Sequence, residues 1–428
     1  MHGEPARIGY RNEVKTVERH AKPRVLEALG DTRIVVVQGA RQVGKTTLIR
    51  DVTAERAGRL VTLDDDLTRV AAQADPHGFL AQFPEGTLAI DEVQRVPELV
   101  LALKLAVDRD PRPGGFLLTG SANLLRLPAM QDSLAGRAEG VDLFGFSQGE
   151  LSNHREQFID RLLAGESFAG HTSALTRGDY LDRACAGGYP EALSRPAGRR
   201  RAAWLDNYVQ RIVERDAVDI SALQHLDELP TLLRLLAARN TGELNTANLA
   251  NDAGMPVRTL TPYLALLETL YLIQRVPAWS TNLSKRVVSR PKAMLLDTGL
   301  AARLVNASAT GASMQGHPEL GGHLLEGFVA GELRRQLGWA EHNARLSHYR
   351  DHGGAEVDLI LETDDGRVAG IEVKATSNVS SRDAKWLTQL RDRLGHRFAG
   401  GVILHTGPTS APFGDRIVAA PIDVLWTT

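Results

Sequence analysis

Gly39-Ala40-Arg41-Gln42-Val43-Gly44-Lys45-Thr46 follows an apolar β-branched run, residues 34–37, and leads into a helix-compatible stretch, residues 47–50. A strand, a glycine-rich turn and a helix in that order form a phosphate-binding loop. The glycines let the backbone curl so that successive N–H groups face an anion. The helix that follows adds its positive N-terminal end. Lys45 is expected to reach the β- and γ-phosphates, and Thr46 to place its hydroxyl on Mg²⁺. The expected nucleotide-binding set is Gly39, Ala40, Arg41, Gln42, Val43, Gly44, Lys45, Thr46 and Thr47, with Mg²⁺ and ATP as the ligands.

A second motif, Leu88-Ala89-Ile90-Asp91-Glu92, is an apolar strand that ends in two acids. Beside a phosphate-binding loop, Asp91 is expected to join Thr46 in holding the metal. Glu92 is placed to orient and deprotonate an attacking water.

The chain has 428 residues, enough for two to four domains of roughly 100–200 residues. Its apolar fraction of 43% and charged fraction of 24% are those of an ordinary globular protein. A net charge of −2 gives no global attraction to nucleic acid, so any such binding needs a local patch. The single cysteine, Cys185, excludes an intramolecular disulfide framework and a cysteine-based zinc site, and is expected to be a small apolar residue. Met1-His2-Gly3-Glu4-Pro5 lacks a charged-then-apolar leader, and no apolar run approaches the ~18 residues of a spanning helix. The expected location is the cytoplasm, with no membrane contact.

Residues 14–29 are helix-compatible. Candidate strands at 34–37, 60–63, 87–90 and 115–119 then alternate with amphipathic stretches such as 99–107. That alternation predicts an α/β fold with a parallel sheet covered on both faces, with phosphates at the carboxyl ends of its strands. Residues 1–149 are assigned to this core. Residues 150–217 read as a helical lid, broken at Gly187-Gly188-Tyr189-Pro190. Within 218–305, residues 244–252, a turn at Ala253-Gly254-Met255 and residues 256–270 form a helix-turn-helix pattern, with a strand at 271–276 starting a wing. Leu260, Leu264, Leu267 and Leu270 share one face of the second helix. Residues 306–318 are small and polar and mark a linker. The last unit, 319–428, begins with a helix and continues with strands at 357–361, 370–373 and 402–404.

Three further features bear on the kind of nucleotide machine. Phe116-Leu117-Leu118-Thr119-Gly120-Ser121 sets hydroxyls at the end of another strand, placed either to bond water or γ-phosphate or to make a plain turn. Arg137, after Ser133-Leu134-Ala135-Gly136, is either a finger reaching a neighbouring site or a surface or cis-paired arginine. Tyr189 and Pro190 are placed either to line an adenine pocket or merely to break a helix. Residues 39–48, Asp91-Glu92-Val93-Gln94, residues 118–122 and residues 133–137 resemble AAA+ ATPases of the branch related to archaeal and signalling P-loop ATPases. The whole chain resembles bacterial and archaeal proteins that join this ATPase to a C-terminal domain of unknown function. The resemblance implies that Ser121 or Thr119 senses the γ-phosphate and that Arg137 is a candidate trans finger, hence a possible homo-oligomer. It also implies that Gly188-Tyr189-Pro190 stands where many relatives carry an arginine-bearing second sensor.

From Met255 to Leu296, Arg258, Arg275, Lys285, Arg286, Arg290 and Lys292 face a single acid, Glu268. A basic wing beside a helix-turn-helix predicts DNA contacts by Arg258, Lys285, Arg286, Arg290 and Lys292; the alternative is a protein-packing module. Arg199-Arg200-Arg201 reads as a solvated helix face. Near the end, Glu356-Val357-Asp358 precedes Glu372-Val373-Lys374 by thirteen residues. Glu372 and Lys374 share a strand face, and a hairpin would bring Asp358 beside them. Two carboxylates can hold Mg²⁺ and a lysine can orient water. With Glu326 on the preceding helix, this order resembles the PD-(D/E)XK nuclease fold, residue by residue at Glu326, Asp358, Glu372 and Lys374. The alternative is an ion-pair cluster at a strand edge. His342, His348 and His352 fit no single helical face and read as surface residues. The expected function is a Mg-dependent ATPase with one of two outputs. It either drives DNA binding or processing, or switches the binding of a protein partner while the nuclease-like part serves only for docking.

Overall fold

The computed structural model describes residues 17–428 except 127, 222, 224, 310–317 and 352; a few further side chains, Lys285 among them, also lie outside the described set. His352, most of the expected linker and the start of the expected first helix therefore lie outside the described residues. Among the described residues, no helix is long and apolar enough to cross a membrane.

Strand β1 (Ile34–Gln38) is buried along its whole length. Ile34 and Val36 enter one apolar core while Val35 and Val37 enter another. Period-two alternation with both faces apolar is what a parallel strand between two helical layers requires. With β2 (Arg59–Thr62), β3 (Leu88–Asp91), β4 (Phe116–Gly120) and β5 (Ala138–Asp142) it forms an all-parallel sheet of order β2-β3-β4-β1-β5. Gln38 lies level with Gly120 on one side and with Asp142 on the other, and Thr62 lies level with Asp91. The register gathers the strand ends that carry the sequence motifs on one rim. Four strands fall within a residue of the expected ranges, whereas β5 was not expected.

Residues 150–217 are helical in several short pieces, including helices Arg177–Ala186 and Arg199–Arg211. Helix Phe158–Leu163 packs on the C-terminal sheet, and Arg367 donates to the Leu163 carbonyl at 2.8 Å. Helices Thr246–Asp252 and Val257–Thr269 flank a turn at Gly254, whose φ of +67° suits glycine. Asn245 caps the first of these by accepting from Asn248 N at 3.1 Å. Leu260, Leu264, Leu267 and Leu270 are buried as one stripe, as their spacing predicts. Strand β6 (Ile273–Val276) pairs antiparallel with β7 (Lys292–Leu295).

The last unit is a six-stranded mixed sheet of order β12-β13-β11-β10-β9-β8, from β8 (Ala344–Arg350), β9 (Glu356–Thr363), β10 (Val368–Lys374), β11 (Phe398–His405), β12 (Ala411–Pro412) and β13 (Ile417–Pro421). Helix Pro318–Gln336 packs on β10. The chain beyond β6 runs along β8, with Trp279 N donating to His348 O and His348 N to Pro277 O. The two-stranded unit is thereby zipped to the edge of the C-terminal sheet.

Candidate active site

The loop 39–44 closes tightly over the sheet rim. A Cβ on Gly39 would lie 2.0 Å from the Leu143 carbonyl oxygen, so no larger residue fits without displacing backbone. Gly44, at φ +98°, turns the chain into helix Lys45–Glu55. Lys45 is 4% exposed, and its ammonium donates to the carbonyls of Gly39 and Ala40, each at 2.9 Å. Burial and then repulsion from Arg41 lower its pKa, against the pull of Glu92 and Asp91.

Thr46 Oγ1 donates to Asp91 Oδ2 at 3.0 Å. Thr119 Oγ1 donates to Asp91 Oδ1 and accepts from Glu92 N at 3.0 Å. Burial, then the neighbouring Glu92, raises the Asp91 pKa. An adjoining hydroxyl and carboxylate on a phosphate-loop rim fit Mg²⁺, a hard cation that takes oxygen ligands and shares them with substrate phosphates. Glu92 holds φ +57° and ψ +48°, a left-handed conformation rare outside glycine. Gln94 Nε2 donates to Glu92 Oε2 and, at 3.2 Å, to Ser121 Oγ. Lys45, Thr46, Asp91, Glu92, Thr119 and Ser121 are thus linked around one rim.

Several contributors were not singled out from sequence. Gln94 bridges Glu92 to Ser121; in the sequence it stands only within the Asp91-Glu92-Val93-Gln94 match and was given no role. Arg19 is buried and donates to the Val43 carbonyl at 2.6 Å and to the Phe144 carbonyl at 2.7 Å, with its Nε on Glu150 at 3.0 Å. It pins the loop from a segment that carries no motif. Gln38 donates to Asp142 at 3.2 Å, and Asp142 also accepts from Tyr271 at 2.5 Å and from Arg334 at 3.2 Å. Asn123 N, two residues past Ser121, donates to the Thr269 carbonyl at 2.8 Å. Both links join the rim directly to the later units.

The remaining expected residues lie in varied surroundings. Arg41 pairs with Asp216, and Thr47 is exposed. Arg137 makes a two-pronged pair with Asp108 at 2.7 and 2.9 Å, the cis alternative. Tyr189 does not line an open pocket: it is 3% exposed and packs against Tyr208 and Trp204, with ring centroids 4.7 and 5.7 Å away. The adjoining Gly188 has both backbone groups committed, donating to Asp297 at 2.7 Å and accepting from Phe146 N at 2.7 Å. Pro190 starts helix Pro190–Leu193, where its missing N–H is harmless.

Two of the five expected DNA contacts, Arg286 and Lys292, and the neighbouring Arg275 are already neutralised or buried. Arg275 grips Glu268, and Arg286 grips Glu362 with its guanidinium over the Trp279 ring. Lys292 corrects the sequence expectation outright. It is 3% exposed, and β7 directs its ammonium to Glu326 at 2.8 Å, Glu356 at 3.3 Å and Asp358 at 3.9 Å. Arg258 and Arg290 are exposed, while the Lys285 side chain lies outside the described residues.

Glu326, Asp358, Glu372 and Lys374 do come together. Asp358 accepts from Val373 N at 2.8 Å, and Lys374 donates to Glu372 at 3.0 Å. Thr241 and Lys292 hold the two oxygens of Glu326. Burial, then Asp358, pushes Glu326 up to about 7 and Glu372 up to about 9. No three His, Cys, Asp or Glu side chains among the described residues are arranged to hold a metal ion. The histidines are dispersed: His342 pairs with Asp160 at 2.9 Å, and His348, expected at the surface, is 1% exposed. Cys185 is half-buried, its thiol pushed up to about 12 by burial.

Residues 31–152 match the family model of an AAA domain. Residues 177–311 and 321–425 match two domains of unknown function, DUF8612 and DUF4143. Two relatives, uncharacterized proteins of Mycobacterium tuberculosis and Mycobacterium bovis, are each 30% identical over 413 residues, covering 96% of this chain and 85% of theirs. Among solved structures, AMPPCP-bound DnaA from Aquifex aeolicus is 14% identical, with 58% of this chain and 86% of that one covered and a TM-score of 0.28. A STAND protein with a tetratricopeptide repeat sensor from Pyrococcus horikoshii is also 14% identical, with 75% and 49% covered and a TM-score of 0.26. The chain belongs to the family of the two mycobacterial proteins, and in this chain an AAA-type ATP-binding and ATP-hydrolysing domain is followed by DUF8612 and DUF4143 regions.

Proposed function

We propose that this protein is a Mg-dependent ATP hydrolase that uses its nucleotide state to control the arrangement of a helix-turn-helix unit and a nuclease-like sheet unit. The observation that carries the reading is the linked rim: Lys45 at the loop, Thr46 against Asp91, and Thr119, Gln94 and Ser121 fixing the two acids. Lys45 would leave its two loop carbonyls for the phosphates. Thr46 and Asp91 would hold Mg²⁺, which offsets phosphate charge when bound. Glu92 would take the proton of the attacking water, with Gln94 setting its carboxylate and Ser121 bonding the γ-phosphate. Arg137, held by Asp108, is assigned no catalytic part.

The fate of the basic residues favours the switch over DNA processing as the output. Of the five expected DNA contacts, Arg286 and Lys292 are spent on acids of this chain, as is the neighbouring Arg275, which thins the expected phosphate footprint to the exposed Arg258 and Arg290 among the described side chains. The links from Gln38 through Asp142 to Tyr271 and Arg334, and from Asn123 to Thr269, give the rim a direct hold on the later units. Steady-state hydrolysis by Glu92→Gln tests the chemistry: the rate is expected to fall by about 10²–10⁴ with nucleotide affinity retained. Unchanged turnover would remove Glu92 as the base. Gln94→Ala should lower the same rate constant by a smaller factor and leave KM in place.

A further inference from the structure

Lys292 reaches the carboxylate cluster from a different unit of the chain. It sits on β7, while Glu356 and Asp358 sit two apart on one face of β9 and Glu326 on helix Pro318–Gln336. The remaining oxygen of Glu326 is taken by Thr241, which also belongs to the unit preceding that helix. On the far side of Asp358, Glu372 is 3% exposed; Lys374 holds one of its oxygens, and the other, Oε1, is buried with no hydrogen-bond partner. Four carboxylates therefore face two lysines, with Arg350 only at the rim, 3.9 Å from Glu356. Burial opposes the charge on Lys292, but Glu326, Asp358 and Glu356 outweigh it and hold its pKa above the ordinary lysine value.

We propose that this cluster is a cation site whose occupant is the chain's own Lys292 ammonium, and that a divalent metal enters only in exchange for it. The proposal deepens the nuclease-like reading and rests on it in one respect, that Glu326, Asp358 and Glu372, not arranged to hold a metal ion while Lys292 is seated, can close round one when the lysine leaves. The oxygens stand at ammonium distances, 2.8 to 3.9 Å, whereas Mg²⁺ needs about 2.0–2.1 Å and Ca²⁺ about 2.3–2.6 Å. Filling the site with metal requires the acids to draw in and the ammonium to leave. A divalent ion would give the buried Glu372 Oε1, which lacks a hydrogen-bond partner, a contact. Because Lys292 lies on β7, metal entry and attachment of the two-stranded unit at this point exclude one another. The lysine is a plug, and the cluster is closed to metal chemistry while it is seated.

The test is Mn²⁺ titration of the full chain without nucleotide, read by electron paramagnetic resonance of the free ion. Asp358→Asn separates this cluster from the Thr46–Asp91 rim. Wild type and Lys292→Arg are expected to show no Asp358-dependent Mn²⁺ binding. Lys292→Met, which keeps the apolar stem, should gain one Mn²⁺ per chain that Lys292→Met/Asp358→Asn loses. Asp358-dependent binding by wild type, no tighter in Lys292→Met, would overturn the plug and leave the metal-competent cluster standing. Absence of binding in both would overturn the cluster itself. Should Lys292→Met fail to fold, acetylation of wild type read by peptide mass decides the matter. Lys292 is expected to resist labelling with and without Mn²⁺ over the titrated range. Ready labelling of Lys292 without metal, or full protection at Mn²⁺ levels that show Asp358-dependent binding, would sink the exchange.

Discussion

Glu92 and His348 show how much the surroundings change a side chain's chemistry. Glu92 follows a buried strand and is held in a left-handed backbone with its N–H on Thr119, so its carboxylate meets Gln94 rather than solvent alone. His348 donates through Nε2 to the Arg290 carbonyl at 3.1 Å, and its Nδ1 is buried without a partner. Burial, then Lys292, pushes its pKa down to about 4 from 6.5. The folded protein keeps this imidazole neutral where the unfolded chain would protonate it. Its contribution is complete above pH 6.5 and is lost as pH falls toward 4, worth about 3 kcal/mol. Urea unfolding at pH 7 and pH 4.5 should show wild type losing more stability than His348→Gln, which keeps a donor but cannot charge. Equal losses would show that His348 titrates normally. Lys45, Thr46, Asp91 and Glu92 were legible because each motif is contiguous and follows an apolar run. The role of Lys292 was not, because its partners lie 34 to 66 residues further along, and nothing local distinguishes a lysine that meets acids from one that meets phosphates.

Elements were legible where periodicity was strong and both faces were covered. β1 and β3 are unbroken apolar runs, and helix Val257–Thr269 carries its leucines in one stripe. β5 reads Ala-Glu-Gly-Val-Asp and lies at the sheet edge with only Val141 fully buried, so its residues carry little strand signal. β8 alternates poorly because Ser347 and His348 are both buried, His348 against the chain beyond β6. The stripe gives a direct prediction. Leu264 is 1% exposed, and Leu264→Ala should cost about 2–5 kcal/mol in denaturant unfolding. A loss under about 1 kcal/mol would mean that the helix packs less tightly than its burial indicates.

Across the molecule, the units are joined at several places, two of which bear on function. One runs from the nucleotide rim through Asp142 and Asn123; the other zips residues 277–279 to β8 and seats Lys292 among acids. Arg275, Arg286 and Lys292 are held by acids of this chain and are withdrawn from any duplex. The hydrolysis rate should therefore change little on adding duplex DNA, at 50 or 200 mM salt. Stimulation that vanishes steeply with salt would instead reveal a phosphate footprint and favour DNA processing. The central claim is that the sheet rim grips Mg-ATP. Titration of wild type with a fluorescent ATP analogue, with Mg²⁺ and with a chelator, tests it most directly. The account predicts Mg-enhanced binding that Lys45→Ala abolishes and from which Asp91→Asn removes the metal dependence. Binding that ignores both Mg²⁺ and the loss of Lys45 would contradict it.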